Sequence, residues 1–384
     1  MTSDLQPSTF RNTPTRLIIS ESERGADMFY ATGFRAPDDF VFVEHRGKKS
    51  ILLSDLEVDR GRREAKVDAV VSFSELEKSL EKKLQRKPNY AETVAAFVKK
   101  QGSSKVFVPS YFPLGIARAL EKNGLTLKAS EGNFFPEREI KRPEEVRHLQ
   151  QALRTTEAGM TRALEILGKT TIEKNHQLKW DGAPLTSERL RREVEGAILQ
   201  AGGIPAGDSI IACGMETCDP HERGHGVLKG HQLIIIDLFP REARSGFYGD
   251  MTRTVVRGKA SEAQQHLWNT CLKGQKLALR ALKPGASGAT IHQAVQDFFT
   301  TEGYPTEQKE GRWSGFFHGT GHGLGLDIHE EPRFGKAILK PGNVFTIEPG
   351  IYIPGLGGVR LEDVVVITVS GYRMLSKFPK QLEI

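Results

Sequence analysis

Hydrophobic positions recur on two periods along this chain, one of two residues and one near 3.6, and the places where the period changes mark its organisation. Before position 140 strand-length apolar runs alternate with helical patterns. DFVFVEH (39–45) and KSILLSD (49–55) predict a hairpin turning at Arg46 and Gly47. DAVVSF then reads as a strand, AETVAAFVKK as a helix, KVFVP as a strand and LGIARALEKNG as a helix. Residues 1–140 are therefore expected to form a smaller mixed α/β domain. At IKRPEEV a proline precedes an acidic first turn, and Val146, Leu149, Leu153, Met160, Leu164 and Leu167 follow at helical spacing, opening a second domain over 141–384.

In that second domain a helix capped by Thr186 or Ser187 runs through Leu190, Val194 and Ile198 to Gly202 and Gly203, and strands follow at SIIACG, QLIIIDLF and YGDMTRTVV. The order then repeats. A helix from Ser261 to Pro284 and another through Ile291, Val295 and Phe299 precede strands at NVFTIEPGIYI and VRLEDVVVITV. Two successive halves of this kind predict an α+β fold: helices on one face of a curved, largely antiparallel sheet, with a crevice between pseudo-twofold repeats.

Composition narrows the function. No apolar run reaches the roughly 18 to 20 residues of a membrane span, and Asp4, Glu21, Glu23 and Asp27 interrupt the first thirty residues, so a cytoplasmic location is expected. Cys213, Cys218 and Cys271 make no CxxC pair and read as reduced thiols. The net charge of +6 comes from basic residues interleaved with acids, which speaks against a nucleic-acid partner.

The chemistry lies in acids where acids are costly. Asp237 ends the run Leu233 to Ile236, Asp250 opens DMTRTVV, Glu348 interrupts VFTIEPGIYI and Glu362 sits in VRLEDVVVI. Burying an unpaired carboxylate costs several kcal/mol, so such groups are paired, protonated or bound to metal. Four acids together with a histidine from the glycine-rich turn HGTGHGLG supply oxygen and imidazole ligands for Mn, Co, Fe or Zn. Four neighbouring negative charges favour two divalent ions over one. The turn lacks the lysine and the strand-loop-helix setting of a phosphate loop.

These residues, with DMTRT, HGTGHGLGLDIHEEP, TIEPGIY and VRLED around them, resemble the M24-type metallopeptidases of the pita-bread fold, and most of all Xaa-Pro aminopeptidase and Xaa-Pro dipeptidase (prolidase). The first domain is similar to the N-terminal domain of prolidase and creatinase. The resemblance implies that Asp237 holds one ion, that Asp250 and Glu362 bridge both, and that His322 and Glu348 complete the second. It implies two divalent ions, Mn first, with Co, Zn and Fe as alternatives, and an amide hydrolysed by a bridging hydroxide. Glu348 would carry the proton, His329 hold the carbonyl oxygen and His221 lie near the leaving nitrogen. His318 and Arg360 would bind substrate, Arg360 sharing the face of Glu362 by strand alternation.

The expected substrate is a peptide with proline after the scissile bond. Such a bond is a tertiary amide without an N–H, so a pocket walled by imidazoles suits it better than strand-like docking. The open-ended aminopeptidase is the first expectation. A prolidase restricted to dipeptides and a creatinase-like amidinohydrolase or lyase are the alternatives; a metal-free binding protein has no reason to keep five ligands. A homodimer is expected, with MFYATGF (28–34) either approaching the partner's site or forming an internal strand. Histidines 225, 231 and 292 read as structural. The thirteen positions from Asp237 to Asp250 are two more than the resemblance leads one to expect, and 170–184 looks inserted.

Overall fold

The computed structural model describes residues 14–384 except 206, 208 and 310. The chain divides into two compact units, one ending at Pro136 and the other running from Glu137 to Ile384.

In the first unit β1 (Arg16–Ser20), α1 (Ala26–Thr32), β2 (Phe40–His45), β3 (Lys48–Leu53), α2 (Val58–Glu64), β4 (Ala69–Ser72), α3 (Phe73–Leu84), α4 (Tyr90–Lys100), β5 (Lys105–Val108), α5 (Leu114–Lys122) and β6 (Thr126–Ala129) follow one another. The strands make a mixed sheet ordered β4-β3-β2-β1-β5-β6. Arg46 and Gly47, at φ 52° and 78°, form the two-residue turn whose twist suits the β2–β3 hairpin. Alternation along β1 sends Leu17 and Ile19 into one core with α4, and Ile18 into another with Met28 and Ala31 of α1. Residues 28–32 of the segment 28–34 are thus helical and not a strand. Met28, Ala31 and Thr32 are buried at helical spacing, and Gly33 in the left-handed region ends the helix. Helix α3, capped by Ser72, sets Phe73 and Leu76, partly buried, against the first of these cores.

The second unit begins with α6 (Pro143–Gly168), a meander of β7 (Thr171–Ile172), β8 (Leu178–Trp180) and β9 (Ala183–Pro184) in the region that looked inserted, and α7 (Ser187–Gln200). Then come β10 (Gly203–Ile204), β11 (Ile210–Cys213), β12 (Leu233–Leu238), β13 (Arg241–Glu242) and β14 (Met251–Val256). Its second half consists of α8 (Glu262–Ala281), α9 (Gly288–Thr301), the hairpin β15 (Glu307–Lys309) and β16 (Arg312–Ser314), then β17 (Val344–Ile347), β18 (Gly350–Ile353), β19 (Gly357–Arg360), β20 (Asp363–Thr368) and β21 (Gly371–Met374). Thr186 caps α7, and Ser261 with Gln264 reciprocally caps α8. Antiparallel sheets β11-β12-β14 and β17-β20-β21 carry the two halves, each over its own apolar core. Among the described residues no helix is long and apolar enough to cross a membrane.

Two strands expected to be continuous are broken. The ladder pairs Ile347 with Asp363 and Gly350 with Arg360, leaving 348–349 and 361–362 outside it. Pro349 has no N–H to give. The N–H of Glu348 donates instead to Thr320 O (2.8 Å), and that of Glu362 to Thr252 O (3.1 Å) on β14. With Thr254 Oγ1 also bonded to both backbone groups of Arg360, these bonds join the two halves.

Candidate active site

All nine side chains singled out in the sequence line one cavity of about 610 Å³ in the second unit. Asp237 sits one residue from the end of β12, paired with Thr252, and Asp250 immediately precedes β14. Glu348 and Glu362 project from the two ladder breaks. The strand alternation invoked for Arg360 and Glu362 is interrupted at Leu361, so the break, not the pleat, brings Glu362 to the cavity.

His322 comes from the glycine-rich loop. Its N–H donates to Thr346 Oγ1 (3.0 Å), and its Nδ1 lies 3.1 Å from Gly323 O. Gly321 is required beside it, because a Cβ there would stand 1.9 Å from Thr346 O. A proton on Nδ1 leaves the Nε2 lone pair facing Asp250 Oδ2 (3.5 Å) and Glu348 Oε1 (3.3 Å). Ligand atoms of Asp250, His322 and Glu362 all lie within 4.8 Å of one another. Asp237 is drawn to Arg360, whose Nη2 donates to Oδ2 (2.7 Å). Its Oδ1 is buried with no hydrogen-bond partner among the described residues.

The electrostatics follow from this crowding. Burial, then the charges of Asp237 and Glu348, raise Asp250 well above the carboxylate range, and burial with Asp250 does the same to Glu362. Burial lifts Glu348 to about 7. It pushes His322 and His329 down to about 4 and His318 to about 3, keeping the imidazoles neutral. Acids that resist ionisation, neutral histidines and an orphaned carboxylate oxygen together suit divalent cations, and the residues fit a metal centre.

Two further residues organise this set. Arg360 Nη1 donates to Tyr352 OH (2.8 Å), which also meets His318 Nε2 (2.8 Å). Arg360 Nε donates to Thr252 Oγ1 (3.2 Å), which in turn donates to Glu362 Oε2 (2.9 Å). Sequence reasoning missed both, although Thr252 follows Asp250 at the strand period of two and pointed to the same face. His221 lines the cavity from the loop after Cys218, and the His329 ring stands edge-on to His322 with centroids 4.3 Å apart. The loop under His329 is fastened by buried Glu330, bonded to Lys141 Nζ and Arg138 Nη2 at 2.5 Å each.

The three histidines read as structural have partners of their own: His225 meets Glu216, His231 meets Lys259 O and His292 meets Thr320. Burial pushes the Cys213 thiol to about 11 and raises Cys218, so neither is a ready nucleophile.

The model of metallopeptidase family M24 matches residues 147–369. The chain belongs to this metallopeptidase family. It is 36% identical to the Xaa-Pro dipeptidase of Pyrococcus furiosus over 52% of this chain and 57% of that protein, so the match spans little more than half the relative's length. The solved prolidase of Pyrococcus furiosus superposes with a TM-score of 0.76 at 25% identity, covering 96% of this chain and 97% of the other. The X-Pro aminopeptidase of Thermotoga maritima gives 0.80 at 20% identity, covering 97% of each chain, which establishes a shared fold. The fold is thus the pita-bread α+β architecture of M24 metallopeptidases.

Proposed function

We propose that this metallopeptidase hydrolyses Xaa-Pro bonds with two divalent ions, Mn first among them, held by Asp237, Asp250, His322, Glu348 and Glu362. The observation that carries the proposal is the convergence of four carboxylates and a neutral imidazole on one cavity, with a buried oxygen of Asp237 left without a partner among the described residues. When bound, the ions supply an acidified water and polarise the scissile carbonyl.

The chain's own residues do the rest. Glu348 takes the proton of the attacking water and returns it to the leaving nitrogen. His329, kept neutral, donates to the carbonyl oxygen as negative charge develops there. His221 lies toward the leaving nitrogen. His318 and Arg360 wall the proline side, but their polar atoms are engaged by Tyr352, Thr252 and Asp237. Arg333, half exposed at the cavity, with its carboxylate neighbour Glu331 3.5 Å away, is the better placed cation for a substrate carboxylate.

On substrate length, the name Xaa-Pro dipeptidase borne by relatives favours dipeptides over the open-ended aminopeptidase expected from the motifs. Purified protein supplied with Mn is to be assayed on Xaa-Pro, Xaa-Pro-Yaa and the matching alanine peptides. Cleavage of the proline dipeptide at least tenfold above the tripeptide is expected. Preference for the tripeptide restores the aminopeptidase, and equal cleavage of the alanine series rejects proline recognition.

A further inference from the structure

The two ladder breaks that release Glu348 and Glu362 also release backbone carbonyls, and one side chain collects them. Gln275 of α8 is 1% exposed. Its Nε2 donates to Ile347 O (2.9 Å) and Leu361 O (3.0 Å), the carbonyls immediately preceding the two glutamates. It also lies 3.2 Å from Asp363 Oδ2. Three acceptors around one amide end require the nitrogen there, since a flipped amide would set oxygen against two carbonyls and a carboxylate. One turn earlier, Cys271 Sγ lies 3.2 Å from Pro349 O, so α8 addresses the break from two successive positions on one face.

We infer that Gln275 is a positioning residue for the metal centre: it replaces the missing rungs of the ladder and sets the separation of Glu348 and Glu362 from behind the sheet. The inference rests on the metal-centre reading above. Each glutamate is then held by its own N–H on one side and by the preceding carbonyl on the other, with Gln275 common to both. Without it two buried carbonyls lose a donor and the breaks are free to relax, so the carboxylates lose their common geometry.

The test is calorimetric titration of metal-free protein with Mn, alongside melting temperature and steady-state kinetics. Gln275→Leu removes the donor at similar volume, and Leu279→Ala on the same helix damages the core without removing a hydrogen bond to the breaks. Mn affinity is expected to fall about 10- to 100-fold in Gln275→Leu, with kcat reduced and KM little changed. Leu279→Ala should melt earlier yet keep Mn affinity within about threefold of wild type. Should Gln275→Leu fail to fold, Gln275→Asn keeps the amide one methylene short and is expected to show a smaller loss of affinity. Wild-type affinity in the folded Gln275 variant, or an equal loss in Leu279→Ala, overturns the inference while leaving the metal centre standing. Absence of Mn uptake by wild-type protein removes the metal centre, and the inference with it.

Discussion

The two halves of the second unit place their acids at equivalent points but by different means. In the first, Asp237 lies near the end of β12 and Asp250 just before β14; in the second, Glu348 follows β17 and Glu362 precedes β20. Behind the first pair α6 approaches through small residues: a Cβ on Gly249 would stand 2.3 Å from Thr156 Oγ1 and 2.7 Å from Ala152 O. Behind the second pair α8 reaches across with a glutamine. The second half also continues into β18 and β19, which bring Tyr352 and Arg360. Close packing fixes the backbone beside Asp250 and a buried ion pair with Arg360 holds Asp237, whereas the glutamates at the broken ladder are held through hydrogen bonds to their own backbone.

The largest effects should come from removing one acid of either half. Asp250→Ala and Glu362→Ala are each expected to lose metal and at least about a thousandfold in activity, read by elemental analysis and initial rates. His329→Ala should lose turnover with metal retained. Metal loss in only one of the two acid variants would mean that the halves do not share the ions.

Gly249→Ala attacks the packing solution alone. Overpacking costs about 1 to 3 kcal/mol, so the melting temperature should drop, and Mn affinity with it because Asp250 is the next residue. An unchanged melting temperature would show that α6 has room to yield.

Tyr352→Phe probes the β18–β19 hairpin of the second half. Loss of the hydroxyl leaves Arg360 and His318 short of a buried partner at a cost of about 1 to 3 kcal/mol. We expect roughly tenfold slower turnover with metal content intact. Loss of metal instead would place Tyr352 in the support of the ligands.

The smallest effect is one of pH on metal-free protein. A carboxyl whose folded pKa lies above its unfolded value favours folding below that unfolded value and loses the advantage as pH rises through the folded one. For Glu348 this loss runs from about 4.5 to about 7. The lowered histidines act oppositely: their contribution is complete above 6.5 and fades as pH falls toward about 4. Above pH 6.5 the acids therefore act alone, and the melting temperature should decline toward pH 8. Glu348→Gln or saturating Mn should flatten that slope; a slope unchanged by either removes the acid cluster as its source.

Much of this was legible before any coordinates. Periodicity predicted the β2–β3 hairpin, the four long helices of the second unit and its repeated order, because those elements bury faces whose spacing is written in the residues. Helix α3 carries the same kind of trace in Phe73, Leu76, Leu80 and Leu84, although Phe73 and Leu76 are only partly buried against the core. Helix α1 was hidden by a short aromatic run that propensity alone does not assign.

What the sequence by itself determined is which residues carry the chemistry, since an acid within an apolar run is a local anomaly that needs no partner to be seen. Tertiary structure alone decided how those acids are held. The breaks at Glu348 and Glu362, the hydroxyl of Tyr352 between His318 and Arg360, and the amide of Gln275 behind both glutamates depend on contacts between groups from 8 to 110 residues apart. No local pattern encodes such contacts, because each exists only once segments distant in the chain have packed and left particular donors and acceptors without water.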